Sequence, residues 1–187
     1  MGVTPTLYLL RHGQTEWNAQ GRLQGRLDSP LTALGRVQAR RQAQLVARLD
    51  PDLPCWCSTA GRAVETARIA LGARPFRQDA RLTEIDIGQF TGMTMNEVRA
   101  ADPGGFAGDE LDWYDRTPGG EDFAALRARV ADFLAELDEP AILVTHGITL
   151  RMIRAVAMDL PPTRLAEMPV FQGALHQVSA GQHQVFF

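Results

Sequence analysis

The stretch Leu7-Tyr8-Leu9-Leu10-Arg11-His12-Gly13 passes directly from an apolar strand pattern to polar and charged residues. A second stretch, Ala141-Ile142-Leu143-Val144-Thr145-His146-Gly147, makes the same change near the other end of the chain. Parallel strands deliver the residues that follow them to one edge of a sheet, so both histidines are expected at one small ligand. The arginine before the first histidine indicates that this ligand is an anion.

Strand patterns alternate with helix patterns along the rest of the chain. Hydrophobic spacing and helix end signals predict strands at residues 6–10, 54–57 and 140–145, and helices at 32–49, 60–71, 94–101, 121–138 and 148–158. This alternation predicts an α/β fold, a three-layer sandwich with a largely parallel central sheet flanked by helices. The last segment, residues 170–187, is compatible with added edge strands.

Length and composition favour one globular domain spanning residues 1–187. Hydrophobic residues make up 45% and charged residues 22% of the chain, which is typical of soluble domains. No run of about 18 uncharged apolar residues is present, so no membrane span is expected. The first strand begins without a leader pattern, and the expected location is therefore the cytoplasm.

All 19 cationic residues are arginine. The absence of lysine excludes Schiff-base chemistry on a lysine and the phosphate loop that ends in Gly-Lys-Ser/Thr. A formal net charge of −3 argues against a broad nucleic-acid surface, although a local arginine cluster can still hold a compact phosphate. The expected partner is a small molecule, and the sequence leaves the oligomeric state open.

The two cysteines, Cys55 and Cys57, lie two residues apart in a strand pattern and point to one face of it. Buried free thiols are the expected outcome. A cysteine phosphatase loop would need five residues between its nucleophilic cysteine and a phosphate-binding arginine. Counting back from Arg62, that position holds Trp56, so the cysteine mechanism is excluded.

The regular pattern loosens between residues 83 and 120, where glycines and prolines punctuate the chain and aromatic residues are interspersed. A long connection of this kind, at about residues 86–120, often forms a lid or specificity loop. A surface excursion with its aromatic side chains packed underneath fits the same composition. The sequence leaves both interpretations open.

Ordered sequence blocks carry a family resemblance. They are Leu9-Leu10-Arg11-His12-Gly13-Gln14-Thr15-Glu16-Trp17-Asn18, the run 21–32, Cys57-Ser58-Thr59-Ala60-Gly61-Arg62-Ala63 and its continuation to Ala67, the run 82–92, Pro118-Gly119-Gly120-Glu121 and Val144-Thr145-His146-Gly147. Together they resemble the histidine phosphatase, or phosphoglycerate-mutase-like, superfamily and its short phosphatase branch. The chain departs from the family pattern at Asp122, where serine is common, and at Phe90, where many relatives have tryptophan.

The resemblance implies a role for each matching residue. His12 would be the nucleophile, which requires a neutral ring with one fixed tautomer. Glu84 would be the proton donor, with a pKa raised by nearby phosphate, and Asp86 is the reserve candidate. His146 would bond the phosphoryl oxygens, in one version as an imidazolium. Predicted phosphate-binding residues complete the site: Arg11, Arg62, Asn18, Gln24 and Gly25.

The implied activity is a metal-independent phosphatase that hydrolyses small phosphate monoesters through a phosphohistidine on His12. No metal site and no cofactor are expected, because the histidines are far apart in sequence and two arginines supply the positive charge. The compact chain resembles the short phosphatases, including α-ribazole phosphatase. A cofactor-dependent phosphoglycerate mutase and a noncatalytic phospholigand-binding module are the alternatives. His176 and His183 match no block and are expected to be structural or exposed.

Overall fold

The computed structural model describes residues 4–106 and 110–187. Residues 107–109, which fall within the predicted connection 86–120, and residues 1–3 lie outside the described residues. Within the described ranges, no helix has the length and apolar character needed to cross a membrane. The strands are β1 (Leu7–Arg11), β2 (Cys55–Ser58), β3 (Arg77–Asp79), β4 (Ala141–Thr145), β5 (Leu175–Ser179) and β6 (Gln182–Phe186). The α-helices are α1 (Glu16–Ala19), α2 (Ala33–Val46), α3 (Gly61–Leu71), α4 (Met95–Ala101), α5 (Asp112–Asp115), α6 (Phe123–Ala135) and α7 (Gly147–Ala157).

The six strands form one sheet in the order β3-β2-β4-β1-β5-β6. The first four strands are parallel, and β5 and β6 join antiparallel. The prediction of a largely parallel sheet is therefore confirmed. The C-terminal segment adds two strands as expected, but only β6 lies at an edge, because β5 pairs with β1 on its other side.

Both faces of the sheet are apolar and covered, which explains the three layers. On β4 all five residues are buried, and alternate side chains enter different clusters. Leu143 packs with the cluster that includes α6 and α7, whereas Val144 packs with the cluster that includes α2 and α3. Cys55 and Cys57 are buried on the latter face, as their spacing predicts, and burial raises the pKa of Cys57 to about 12.

Helix boundaries follow side-chain caps. Helix α2 begins after Thr32, whose hydroxyl accepts a hydrogen bond from the Gly35 N–H at 3.0 Å. Helix α6 begins after Asp122, whose carboxylate accepts from the Ala125 N–H at 2.7 Å. An aspartate caps a helix as well as serine does, so the departure at Asp122 preserves the helix start. Both helices end three residues earlier than predicted. The N–H groups of Arg48 and Leu49 after α2, and of Glu136 and Leu137 after α6, bond three residues back instead of four.

The connection between β3 and α6 carries two short helices, α4 and α5, and aromatic side chains that extend the core. Phe90 and Trp113 are buried, with ring centroids 6.3 Å apart. Tyr114 stacks on Trp113 at 3.8 Å and remains half-buried. The aromatic residues thus pack beneath the connection, and Phe90 keeps the buried role of a large ring. Strand β3 and helices α1 and α5 escaped prediction, since each has only three or four residues.

Candidate active site

The two predicted histidines meet because their strands are neighbours. Strands β1 and β4 pair in parallel, with Arg11 opposite Thr145. The next residue, His12, donates its backbone N–H to the Thr145 carbonyl at 3.0 Å. The rings of His12 and His146 lie 5.2 Å apart between centroids. The carboxyl edge of the sheet therefore brings both imidazoles to one place.

A cavity of about 100 Å³ opens beside these rings. It is lined by Arg11, His12, Asn18, Arg22, Leu23, Gln24, Gly25, Arg62, Glu84, Ile87 and Tyr114. Seven of the eight predicted site residues are in this lining. The eighth, His146, is fully buried against His12. The volume accommodates a phosphoryl group with little space to spare.

His12 is held as a neutral ring with a single tautomer. Its Nδ1 lies 2.8 Å from the Gly13 carbonyl oxygen, which can only accept, so Nδ1 carries the hydrogen. Nε2 is then the unprotonated nitrogen. Burial, followed by the positive charges of Arg62 and Arg11, lowers the pKa of His12 well below its ordinary value of 6.5. The ring thus has the protonation state that nucleophilic attack requires.

Gly13 has no room for a side chain. A Cβ there would collide with the backbone carbonyl of Gly35 and would lie 2.9 Å from its Cα. Its own N–H donates to the Thr66 hydroxyl at 3.1 Å. The glycine after the nucleophile therefore permits the close packing of β1 on helix α2, in addition to any approach by a ligand.

Arg62 is 2% exposed and divides its donors between the protein and the cavity. Its Nη1 donates to the Leu27 carbonyl at 2.7 Å and to the Asp28 carboxylate at 3.1 Å. One Nη2 hydrogen goes to the Gly25 carbonyl at 2.8 Å. Two N–H groups, on Nε and Nη2, remain for a ligand. Burial lowers the pKa of Arg62, but a guanidinium stays charged at neutral pH.

Arg11 faces the cavity from the end of β1. One of its five N–H groups, on Nη1, donates to the Val170 carbonyl at 3.0 Å. Its buried Nε has no partner among the described residues. Burial lowers the pKa of Arg11, and the opposite charge of Glu84 partly offsets that effect. Nη1 thus fixes the side chain, and Nε is left to bind an anion.

His146 is oriented by Ser58, a residue that sequence reasoning did not assign. Ser58 Oγ accepts the Ala60 N–H at 3.2 Å and lies 2.7 Å from His146 Nε2. The serine hydrogen is free to donate to Nε2, which leaves the ring hydrogen on Nδ1. This buried Nδ1 has no partner in the described part of the chain. Burial and then the charge of Arg62 lower the pKa of His146 well below 6.5, which favours a neutral donor over the imidazolium version.

Glu84 is held at the N-terminus of helix α7. Its Oε2 accepts the Ile148 N–H at 3.1 Å, and its Oε1 accepts the Thr149 N–H at 3.0 Å. The carboxyl group thus satisfies two of the N–H groups that a helix start leaves open. Asp86, the reserve proton donor, is absent from the cavity lining and instead accepts the Gly88 N–H at 2.9 Å. Glu84 is the carboxylate in position to exchange protons with a ligand.

The loop residues predicted to touch phosphate also reach the cavity. Gln24 is 7% exposed, and its Oε1 has no partner within residues 4–106 and 110–187. Gly25 has a φ of +51°, and a Cβ there would lie 2.6 Å from Ile87 Cγ1. Asn18 Oδ1 accepts the Thr15 N–H at 3.2 Å. Gly25 is therefore required by the backbone, whereas Gln24 and Asn18 offer polar groups to a ligand.

Several residues of the site carried no signal that singled them out. Tyr114 and Ile87 come from the loosely patterned connection, and Arg22 precedes the predicted Gln24. Asp28 lies inside a matched block, where its ion pair with Arg62 was not foreseen. Burial and the charge of Glu84 raise the pKa of Tyr114, so its hydroxyl stays protonated. Within the described ranges, no three His, Cys, Asp or Glu side chains are grouped as metal ligands.

Comparison with known proteins agrees with the geometry. The family model of the histidine phosphatase superfamily (branch 1) matches residues 7–186. The chain belongs to the histidine phosphatase superfamily. A glucosyl-3-phosphoglycerate phosphatase from Mycolicibacterium vanbaalenii is 38% identical over 174 residues, with 83% of this chain and 75% of that protein covered.

Solved structures share the fold. YhfR from Bacillus stearothermophilus aligns with a TM-score of 0.81 and 35% identity, covering 97% of this chain and 95% of YhfR. The mycobacterial glucosyl-3-phosphoglycerate phosphatase in complex with VO3 gives a TM-score of 0.80 at 32% identity, covering 94% and 91% of the two chains. The predictions of the family, of the fold and of a phosphatase are thereby confirmed.

Proposed function

We propose that this chain hydrolyses small phosphate monoesters by moving the phosphoryl group first to His12 Nε2 and then to water. The observation that carries the proposal is the His12 ring itself. It is neutral, its Nδ1–H bonds the Gly13 carbonyl, and its Nε2 lone pair is free to attack beside two buried guanidiniums. A lowered pKa and a fixed tautomer are the properties of an activated nucleophile.

In the first step, Nε2 of His12 attacks phosphorus, and the P–O bond to the leaving group breaks. The departing alkoxide takes a proton from Glu84. Arg11 and Arg62 stabilise the charge on the equatorial oxygens through their remaining N–H groups. His146 Nδ1–H, Asn18, Gln24 and the chain at Gly25 bond the same group.

In the second step, water attacks phosphorus while Glu84 accepts one of its protons. The N–P bond breaks, inorganic phosphate leaves, and His12 and Glu84 return to their starting states. One carboxyl group therefore serves both halves of the cycle, as acid and then as base. The two arginines supply the positive charge that other phosphatases draw from a cation.

The leaving group sets the substrate class. The cavity holds little more than the phosphoryl group, so the rest of the ester extends out of it, past the exposed side chain of Arg22. We infer that the connection 86–120 acts as the specificity element and that the substrate is a small phosphorylated metabolite in the cytoplasm. A panel containing α-ribazole phosphate, phosphoglycerates and glucosyl-3-phosphoglycerate, ranked by kcat/KM, identifies the preferred class.

The variant His12→Ala tests the mechanism. It is expected to lower hydrolysis of p-nitrophenyl phosphate by at least about a thousandfold, because a covalent nucleophile is lost. Acid quenching of the wild type with labelled substrate should trap phosphohistidine, and the variant should trap none. The control is Gln184→Ala on β6, an exposed position outside the cavity that should leave turnover unchanged. Turnover by His12→Ala at the wild-type rate would refute the mechanism.

A further inference from the structure

Three arginines hold the segment 168–170, which precedes β5, through its backbone carbonyls. Arg151 Nε donates to the Met168 carbonyl at 2.9 Å, and Arg154 Nη2 donates to the Pro169 carbonyl at 2.6 Å. Arg11 Nη1 donates to the third consecutive carbonyl, at residue 170. Arginine is always a donor, so each contact holds a backbone oxygen in place. The position of the residues that follow is thereby fixed against the active site.

Gln172 follows this fastened segment and reaches the nucleophile strand. Its Nε2 donates to the His12 carbonyl at 3.2 Å and to Asn18 Oδ1 at 3.2 Å. Both partners are oxygen atoms that can only accept, so the nitrogen of the Gln172 amide must face them. Gln172 itself is absent from the cavity lining.

The same logic settles the orientation of Asn18. Its Oδ1 accepts from the Thr15 N–H as well as from Gln172, each at 3.2 Å. With the oxygen engaged by two donors, the Nδ2 group is turned the other way. No described residue accepts a hydrogen bond from Nδ2, and Asn18 lines the cavity. Two N–H donors therefore face the space beside His12.

We propose that Gln172 is a positioning residue that fixes the Asn18 side chain with its Nδ2 donors toward the phosphoryl group. The inference rests on the proposed function, which places a phosphoryl group in this cavity. An amide that rotates freely would present its oxygen to the anion for part of the time. Gln172 disfavours that state together with the Thr15 N–H, because a rotated Asn18 would set its Nδ2 against both donors.

The sharpest test is Gln172→Glu, which keeps the shape of the side chain but sets a carboxylate against two oxygens. It is expected to lower kcat/KM for p-nitrophenyl phosphate by about tenfold to a hundredfold and to weaken vanadate binding in proportion, the range for a lost hydrogen bond to a charged group. The matched control is Gln184→Glu on β6, an exposed site where the same change should alter neither quantity by more than about twofold.

A double-mutant cycle separates positioning from a structural role. In an Asn18→Ala background, Gln172→Glu should cost several-fold less than it does in the wild type, because the group that it misorients is gone and only the repulsion from the His12 carbonyl remains. A loss of the same size in both backgrounds, or no loss in the single variant, would overturn the inference. If thermal melting finds Gln172→Glu unfolded, Gln172→Leu takes its place. Gln172→Leu should lower kcat/KM by about threefold to tenfold. Absence of this loss in the Asn18→Ala background supports the inference, and a loss of the same size there contradicts it.

The His12→Ala variant belongs in the same series. Turnover without His12 would refute the proposed function. Loss of turnover without His12, combined with wild-type activity in both Gln172 variants, would leave the function standing and remove only the role of Gln172.

Discussion

Stability in mild acid should depend on His176, which lies in the C-terminal hairpin and does not line the cavity. Its ring is fully buried and stacks on His183, with centroids 5.3 Å apart. Arg154 Nη1 donates to His183 Nε2 at 3.1 Å, so that nitrogen is an acceptor, and His176 Nδ1, also 3.1 Å away, must donate to it. Of the two predicted outcomes, structural or exposed, both histidines have the structural one, since their rings are hydrogen-bonded inside the protein. Burial, followed by the charge of Arg154, lowers the pKa of His176 to about 3.

The sign of the effect follows from proton linkage. Above pH 6.5 the ring is neutral in both the folded and the unfolded chain, and the pH has no effect through this group. As the pH falls below 6.5, the unfolded chain binds a proton that the folded chain does not, so unfolding becomes more favourable. The loss continues down to the folded pKa of about 3.

The size of the effect can be worked out for a practical range. At pH 5 the protonated form of the imidazole in the unfolded chain exceeds the neutral form by about thirtyfold. This ratio amounts to a loss of about 2 kcal/mol in the free energy of unfolding relative to pH 7. About a third of that loss should appear by pH 6. The figure barely depends on the folded pKa, because the folded ring is almost entirely neutral at pH 5 when that pKa is about 3.

The variant His176→Asn isolates this contribution, since its amide can still donate to His183 but does not titrate. Urea unfolding of both proteins at pH 7, 6 and 5 gives the free energy of unfolding. The wild type should lose about 2 kcal/mol more than the variant between pH 7 and pH 5. Parallel curves for the two proteins would mean that His176 titrates alike in the folded and unfolded chains, and the reasoning from burial would be wrong.

Two further outcomes are expected. Hydrolysis of p-nitrophenyl phosphate should be unchanged in excess EDTA, because Arg11 and Arg62 supply the charge; loss of activity with recovery on adding a divalent ion would contradict this. Gly13→Ala should destabilise the fold by at least about 2 kcal/mol in urea unfolding, because the new Cβ meets rigid backbone at Gly35. The control Gly104→Ala, where a Cβ meets only Asp102 Oδ1 at 3.7 Å, should cost less, and equal costs would count against the packing argument.

The meeting of the two histidines was predictable because its signals are local and strong. An apolar run followed by a histidine marks the carboxyl end of a buried parallel strand, and two such runs must end at the same edge. His12 and His146 therefore met as expected. Strand β3 left no such signal, since it has three residues and none is buried.

The contacts that orient the site residues were harder to predict, because they come from residues that are distant in sequence and meet only in the folded chain. Ser58 and Asp28 lie inside matched blocks. Their roles come from the hydrogen bond of Ser58 to His146 and the ion pair of Asp28 with Arg62, which only the packed structure defines. Gln172 acts across 160 residues of sequence on the His12 carbonyl. No periodicity or spacing encodes a contact of that range.

Arg62 both holds a loop and lines the cavity. Three of its hydrogen bonds hold the loop at Gly25, Leu27 and Asp28, while its free N–H groups face the cavity. Truncating it would release the loop and remove the charge together, so the kinetic penalty would overstate electrostatics. Conversely, an anion that pulls on the guanidinium also tightens the loop, which links occupancy of the pocket to the order of its rim.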